Sequence, residues 1–127
     1  MQSAALLQRI GQIAIVAKDV PRAAAFYRDV LGIRHLFDAG PTLSFFQLGD
    51  VRLMLTTAEK PEHDHPASIL YLVVADIDAA YVTLRDKGVV FEDQPHLVAR
   101  MPDHELWMTF FRDCEGNLLA LMSEKRP

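Results

Sequence analysis

Apolar and β-branched residues run almost unbroken from Ile10 to Ala17, which predicts a buried strand. Lys18-Asp19-Val20-Pro21 then interrupts the run. Asp19 suits an N-cap, and Pro21 is tolerated in a first helical turn. A helix is predicted over Arg22 to Leu31, because Ala23, Phe26, Tyr27 and Val30 recur at helical spacing and Gly32 stands where a helix ends. Strands are expected over Arg34 to Phe37, Leu43 to Leu48 and Val51 to Thr57, with turns at Gly40-Pro41 and Gly49-Asp50. The polar stretch Ala58 to Ala67 carries two prolines and reads as a linker. Beyond it the pattern restarts. A strand over Ile69 to Val74 leads to a helix that begins at Asp76 and ends near Gly88. Four strands are expected afterwards, at Val89 to Phe91, His96 to Met101, Leu106 to Arg112 and Asn117 to Ser123. The stretch before Gln8 is expected to form a short apolar helix.

The restart is an internal repeat. Asp19 and Asp76 each follow a strand, and Arg28-Asp29 and Arg85-Asp86 follow them at the same distance. A glycine closes each helix, at Gly32 and Gly88. Phe45-Phe46 and Phe110-Phe111 each precede a turn and a further apolar strand. The unit is βαβββ, present twice, with equivalent residues roughly 57–66 positions apart. Such units pair to cover their open faces. The expected organisation is one domain over residues 1–127, with module one at about 10–57, the linker at about 58–67 and module two at about 68–123.

Two βαβββ modules in a chain of this length resemble the vicinal oxygen chelate superfamily, which includes glyoxalase I, bleomycin-resistance proteins, fosfomycin-resistance enzymes, methylmalonyl-CoA epimerase and extradiol dioxygenases. The residues that carry the resemblance are Gly11 to Val20, Ala25 to Gly32, and the turn Asp113-Cys114-Glu115-Gly116-Asn117, where Cys114 takes a proline's place. It covers nearly the whole chain from Ile10 to Met122. It implies an α+β fold whose two modules form an open, U-shaped mixed-sheet groove. It also implies a homodimer, since a half-open sheet pair in this family usually closes against a second chain.

Metal-dependent members of the family use His or Glu at one inward position on each of four strands, a donor set suited to a divalent ion that polarises a carbonyl or enediolate oxygen. By resemblance those positions here are Gln12, Met54, Ile69 and Ala120. A register slip of one residue puts Ile13, Leu53, Leu70 and Leu119 there. Neither set is a good metal-binding set, because thioether and neutral amide groups are weak donors to hard or borderline cations, and Ile, Leu and Ala offer none. No metal and no cofactor are therefore expected at the usual site. A divalent metal elsewhere is the alternative.

Charge narrows the partners. Thirteen basic against seventeen acidic residues give a net charge of -4, and there is no run of Lys/Arg, so nucleic acid is not expected as a partner. No apolar stretch approaches the roughly 18–20 residues of a membrane helix. Met1 to Arg9 does not read as a signal peptide, and Cys114 is the single cysteine, so a cytoplasmic location is expected. Phosphate-binding glycine loops and serine-nucleophile elbows are absent from the sequence.

Alternation on the strands places Gln12, Arg52, Met54, Tyr71, Phe110 and Ala120 on the groove face, together with Ala14, Val16, Thr56, Ile69, Val73, Arg112, Leu118 and Met122. The first six are the expected substrate-binding residues. Their face is largely apolar and includes an adaptable Met pair. Arg52 has no acid on the same inferred face, so it suits an anionic ligand; the competing reading is that it snorkels to solvent.

His104 and Glu105, beside the expected hairpin tip Met101-Pro102-Asp103, are candidates for acid–base catalysis. The segment Glu62-His63-Asp64-His65, flanked by prolines, reads as a solvated loop, with a relocated metal site as the alternative. His96 reads as part of an exposed turn, His35 as a surface residue, and Cys114 as an inert turn residue. Trp107 is expected to pack against a helix or a partner subunit. Two function classes follow. One is a metal-independent protein that binds a small organic molecule. The other is a glyoxalase- or epimerase-like lyase or isomerase with a relocated metal or a His/Glu pair.

Overall fold

The computed structural model describes residues 5–58 and 60–127. Two repeats of the same topology are present. Module one comprises β1 (Gln12–Val16), α1 (Val20–Ala25), β2 (Arg34–Asp38), β3 (Leu43–Leu48) and β4 (Val51–Thr56). Module two comprises β5 (Leu70–Val73), α2 (Ile77–Asp86), β6 (Val90–Phe91), β7 (His96–Arg100), β8 (Glu105–Arg112) and β9 (Leu118–Lys125). The sheets run β1-β4-β3-β2 and β5-β9-β8-β6, with β7 also paired to β8. In each, the first strand is parallel to the last and the other pairs are antiparallel. Both sheets are therefore mixed and open, as the resemblance implies.

The elements form where the local chemistry directs. Asp19 Oδ1 accepts the Arg22 N–H at 3.1 Å, and Asp76 Oδ1 accepts the Ala79 N–H at 3.1 Å. Gly32 and Gly88 take φ of +71° and +93°, the left-handed backbone that ends each helix. The first helix differs from the expected one. Its α-helical part stops at Ala25 and continues as a π-helical turn over Phe26–Val30, closed by Leu31 N–H to Phe26 O at 3.0 Å. The repeat explains this turn. Gly32 lies thirteen residues after Asp19, whereas Gly88 lies twelve after Asp76. The extra residue is absorbed as a π-bulge.

The last strand of module two is expected to end at Ser123 but extends to Lys125, where it pairs with Glu105. The edge strand of that sheet is broken between β6 and β7. Pro95 has no N–H to give the ladder, and Asp93 substitutes for it: its Oδ1 accepts the Thr109 hydroxyl at 2.7 Å and the Phe110 N–H at 2.9 Å. The expected apolar helix before Gln8 falls partly outside the described residues; residues 5–8 are not helical. The linker contains one 3₁₀ turn, Pro61–His63.

One face of each sheet packs into a shared core. Ile15, Leu53, Leu55, Phe46, Ala23 and Tyr27 of module one join Ile77, Phe111, Leu119 and Leu121 of module two in a single buried cluster. Trp107 packs against it, with its N–H donated to Glu105 Oε1 at 3.1 Å and the Lys125 ammonium 4.0 Å from its ring centre. His35 is not a free surface residue: its ring lies 5.2 Å from that of Phe46, and Nε2 is 2.8 Å from Asp38 Oδ1. The modules are tied by the β8–β9 turn. The Tyr27 hydroxyl donates to Asp113 Oδ2 at 2.7 Å, and Glu115 accepts from the Lys18 N–H at 2.8 Å and from Arg22 at 3.0 Å.

Candidate functional site

The core-facing register fixes the opposite face. Ile13, Leu53, Leu70 and Leu119 all point into or pack against the core, so the slipped register is excluded. Gln12, Ala14 and Val16 of β1 lie beside Arg52, Met54 and Thr56 of β4 in the paired order 12↔52, 14↔54, 16↔56. On that face lies a cavity of about 370 Å³, lined by Ala14, Val16, Met54 and Thr56 from the strands and by His63, His65 and Ala67 from the linker. The linker thus returns over the first sheet. Its polar composition and prolines suggest a solvated loop, and both histidines are indeed exposed, yet they also roof the cavity. Nothing in the local sequence of Ala58 to Ala67 signals that return; it is a tertiary contact.

The polar side chains lining this cavity are Thr56, Thr57, His63 and His65. His65 Nδ1 lies 2.9 Å from Pro66 O. A carbonyl only accepts, so Nδ1 carries the hydrogen and the neutral ring keeps a lone pair on Nε2. The Thr56 hydroxyl donates to Thr57 O at 2.8 Å, leaving its oxygen lone pairs. Ala14, Val16, Met54, Ala58 and Ala67 add aliphatic and thioether surface, so the lining mixes apolar and polar groups as a small-molecule pocket does.

Arg52 stands two residues along β4 from Met54, about 7 Å at strand rise. Its Nε donates to Gln12 Oε1 at 2.8 Å, and its guanidinium carbon is 5.5 Å from the Phe45 ring centre. No acidic side chain pairs with it among the described residues. It lines an adjoining cavity of about 450 Å³ with Arg9, Gln12, Gln47 and Asp50. The sequence-expected Gln12, Arg52 and Met54 therefore lie together on one face, divided between two adjoining cavities.

The remaining expected residues gather on the second sheet. The rings of Tyr71 and Phe110 meet edge-on at 5.9 Å, and both residues stand opposite Ala120 in the ladder. Ala120 itself is fully covered, while Tyr71 and Val73 are 45% and 78% exposed. Within one chain this cluster does not meet the cavity over Met54. Arg112, expected beside Phe110, forms an ion pair with Glu92.

The family's metal positions do not fit a metal. Among the four side chains, Gln12 has the only oxygen donor, and that oxygen is already taken by Arg52. Its amide nitrogen faces Met54 Sδ at 3.7 Å. A cation there meets an N–H face and a neighbouring guanidinium, while Ile69 and Ala120 offer no donor. Among the described residues, no group of three or more His, Cys, Asp or Glu is placed to hold a metal.

His104 and Glu105 lie at the β7–β8 hairpin, away from the groove cavity. His104 Nδ1 is 2.7 Å from Asp103 Oδ1 and Nε2 is 3.7 Å from Glu124, while Glu105 accepts from Trp107 and lies 3.5 Å from Arg100. Arg126 and then His104, by hydrogen bonding, push the Asp103 carboxyl down to about 2. His96 Nδ1 lies 2.9 Å from Gln94 O. Burial, and then the charge of Asp113, raises the Cys114 thiol above its ordinary value.

Residues 9–121 match the model of the Glyoxalase/Bleomycin resistance protein/Dioxygenase superfamily, and the chain belongs to that family. It is 28% identical over 126 residues to the uncharacterized protein YraH of Bacillus subtilis (strain 168), covering 87% of this chain and 94% of that one. A member of the same superfamily from Sphaerobacter thermophilus DSM 20745 superposes with a TM-score of 0.76 at 25% identity, covering 94% and 100% of the two chains. The fold is also that of a lactoylglutathione lyase from Agrobacterium tumefaciens, with a TM-score of 0.69, 21% identity and coverage of 94% and 96%. No helix among the described residues is long and apolar enough to cross a membrane.

Proposed function

We propose that this protein binds a small organic anion on the groove face of its first module without a metal. The observation that carries the reading is the apolar cavity over Ala14 and Met54, which ends one strand step from an Arg52 lacking a carboxylate partner. A ligand lays its apolar body on Met54 and Ala14, and its carboxylate or phosphate takes the guanidinium N–H groups that Gln12 leaves free. A second copy of the chain covers the exposed Tyr71 ring and brings the second sheet's Tyr71 and Phe110 toward the groove, giving a homodimer.

Native mass spectrometry of freshly isolated protein tests this. The expected spectrum carries a non-covalent organic mass, on a dimer, that disappears when Ala14→Phe fills the cavity. Elemental analysis is expected to find well under one divalent metal per chain. With the ligand in hand, Arg52→Met weakens binding by about 1.5–3 kcal/mol, the range for a hydrogen bond to a charged group. Unchanged affinity in a folded Arg52→Met variant removes the anion from the reading.

One observation favours a second reading. His65 lines the cavity with its Nδ1 hydrogen committed to Pro66 O, which leaves Nε2 as the nitrogen able to serve a glyoxalase- or epimerase-like lyase or isomerase as general base. Proton exchange at carbon in a bound ligand, lost in His65→Gln while binding persists, selects that reading over simple sequestration.

A further inference from the structure

A duplicated βαβββ unit offers each contact between its halves twice, once in each direction. In one direction the contact is made by Tyr27, whose hydroxyl reaches Asp113, and by Glu115, which caps the backbone of Lys18 and Asp19. The repeat fixes the counterparts. Leu84, like Tyr27, stands eight residues after its capping aspartate. Both carbonyls receive the first amide beyond the helix-ending glycine: Ile33 N–H reaches Tyr27 O and Val89 N–H reaches Leu84 O, each at 3.0 Å. Leu48, like Asp113, stands two residues after the buried phenylalanine of its strand.

The second direction therefore has Leu84 and Leu48 where the first has a hydrogen-bonded Tyr–Asp pair. Its turn is also shorter, Gly49-Asp50 against the five residues Asp113 to Asn117, so no side chain equivalent to Glu115 exists. The missing latch leaves a cleft of about 290 Å³ between the modules. Ile33 and Leu48 form one wall, and Leu72, Leu84, Phe111 and Leu121 the other. Arg34 is the only charged side chain that lines it, and among the described residues no carboxylate pairs with it.

We propose that this cleft is a second ligand site, separate from the groove cavity, for a medium-length aliphatic carboxylate. The hydrocarbon chain lies between Leu48 and Leu84, and the head group pairs with Arg34. An apolar cleft with one charged group at its edge selects for such an amphiphile, because the chain gains burial and the charge gains a partner. The volume suits a ligand on the order of ten non-hydrogen atoms, small for a ligand pocket. Bound there, the carboxylate substitutes for the absent latch and stabilises the contact between modules, raising the melting temperature by mass action.

Octanoate, with 1-octanol as its neutral match, is the probe. Titration followed by amide chemical shifts is expected to give saturable changes at Leu31 to Arg34, at Leu48 and Gly49, and at Val73 and Val74. Octanoate is expected to bind about tenfold more tightly than octanol, the least effect of one charge-assisted contact. Arg34→Gln removes that difference by weakening octanoate alone, and Leu84→Phe, which fills the cleft, abolishes binding of both. Leu48→Phe serves if Leu84→Phe does not fold, and Arg34 is exposed, so its replacement leaves the fold intact. Shifts confined to Ala14, Met54 and Ala67, no saturable shifts at all, equal affinity for the two probes, or binding that survives a folded filling variant each overturn the proposal. A cleft occupied by a second copy of the chain gives no shifts and overturns it likewise.

Discussion

Replacing Asp113 by alanine is expected to lower the stability of the protein by about 3–5 kcal/mol. The carboxylate is 7% exposed and accepts four hydrogen bonds. Oδ1 takes the N–H groups of Glu115 and Asn117, both at 2.8 Å; Oδ2 takes the Asn117 side-chain amide at 3.0 Å and the Tyr27 hydroxyl at 2.7 Å. Alanine leaves the Tyr27 hydroxyl buried without an acceptor and releases the turn that presents Glu115 to Lys18 and Asp19. Urea unfolding with an unchanged m-value reads the loss directly. Tyr27→Phe is the control. It removes only one of the four donors, and the expected cost falls to about 1–3 kcal/mol. Equal costs for the two variants mean that the Tyr27 bond alone, not the turn, holds the modules together.

The same pair contributes to the alkaline pH dependence of the fold. Burial first, then the charge of Asp113 and its hydrogen bond, hold the Tyr27 hydroxyl protonated well above the ordinary tyrosine range. An unfolded chain releases that proton near pH 10 and the folded chain does not. Its contribution is therefore complete below about pH 10 and falls as pH rises beyond it, by about 1.4 kcal/mol per pH unit for one group. In Tyr27→Phe that component of the alkaline slope is absent.

Much of the fold was legible because its signals are local. Asp19 and Asp76 cap their helices as their positions suggest, Gly32 and Gly88 end them, and alternation on β1 and β4 correctly separates Ile13, Ile15, Leu53 and Leu55 from Gln12, Ala14, Arg52 and Met54. The repeat then gives the topology of both sheets. The π-helical turn was within reach, since the one-residue mismatch between the two helices is visible in the spacing of Asp19 and Gly32 against Asp76 and Gly88. The site was less legible. Strand alternation assigns a face but not its cover. That His63, His65 and Ala67 close the cavity over Met54 depends on where a ten-residue linker lands. That Gln12 and Arg52 bond to each other depends on β1 pairing with β4 in parallel at that register. The near-complete burial of Ala120 follows from its neighbours Tyr71 and Phe110, which face each other across it.

The two core phenylalanines test the asymmetry between modules most sharply. Phe46 and Phe111 occupy equivalent places in the repeat, and both are wholly buried. By composition and burial alone, their replacement by alanine costs the same, about 3–5 kcal/mol. Their surroundings differ. Phe46 is enclosed by the rings of Tyr27 at 6.2 Å and His35 at 5.2 Å, on the side where the latch is made. Phe111 lies 5.5 Å from Phe91 and lines the cleft where the latch is missing. A void left by Phe46 is sealed and stays empty, so Phe46→Ala is expected near the upper end, about 5 kcal/mol. A void left by Phe111 merges with the cleft, where Leu48 and Leu84 relax inward, so Phe111→Ala is expected near 3 kcal/mol, the lower end of the same range. Leu84→Phe added to Phe111→Ala restores about 1 kcal/mol by filling the joined space, and added to Phe46→Ala it restores nothing. Denaturant midpoints for the four variants check both steps. Equal costs for the two phenylalanines, with no rescue by Leu84→Phe, mean that the cleft is closed around Phe111 in solution and that the two halves of the molecule meet symmetrically.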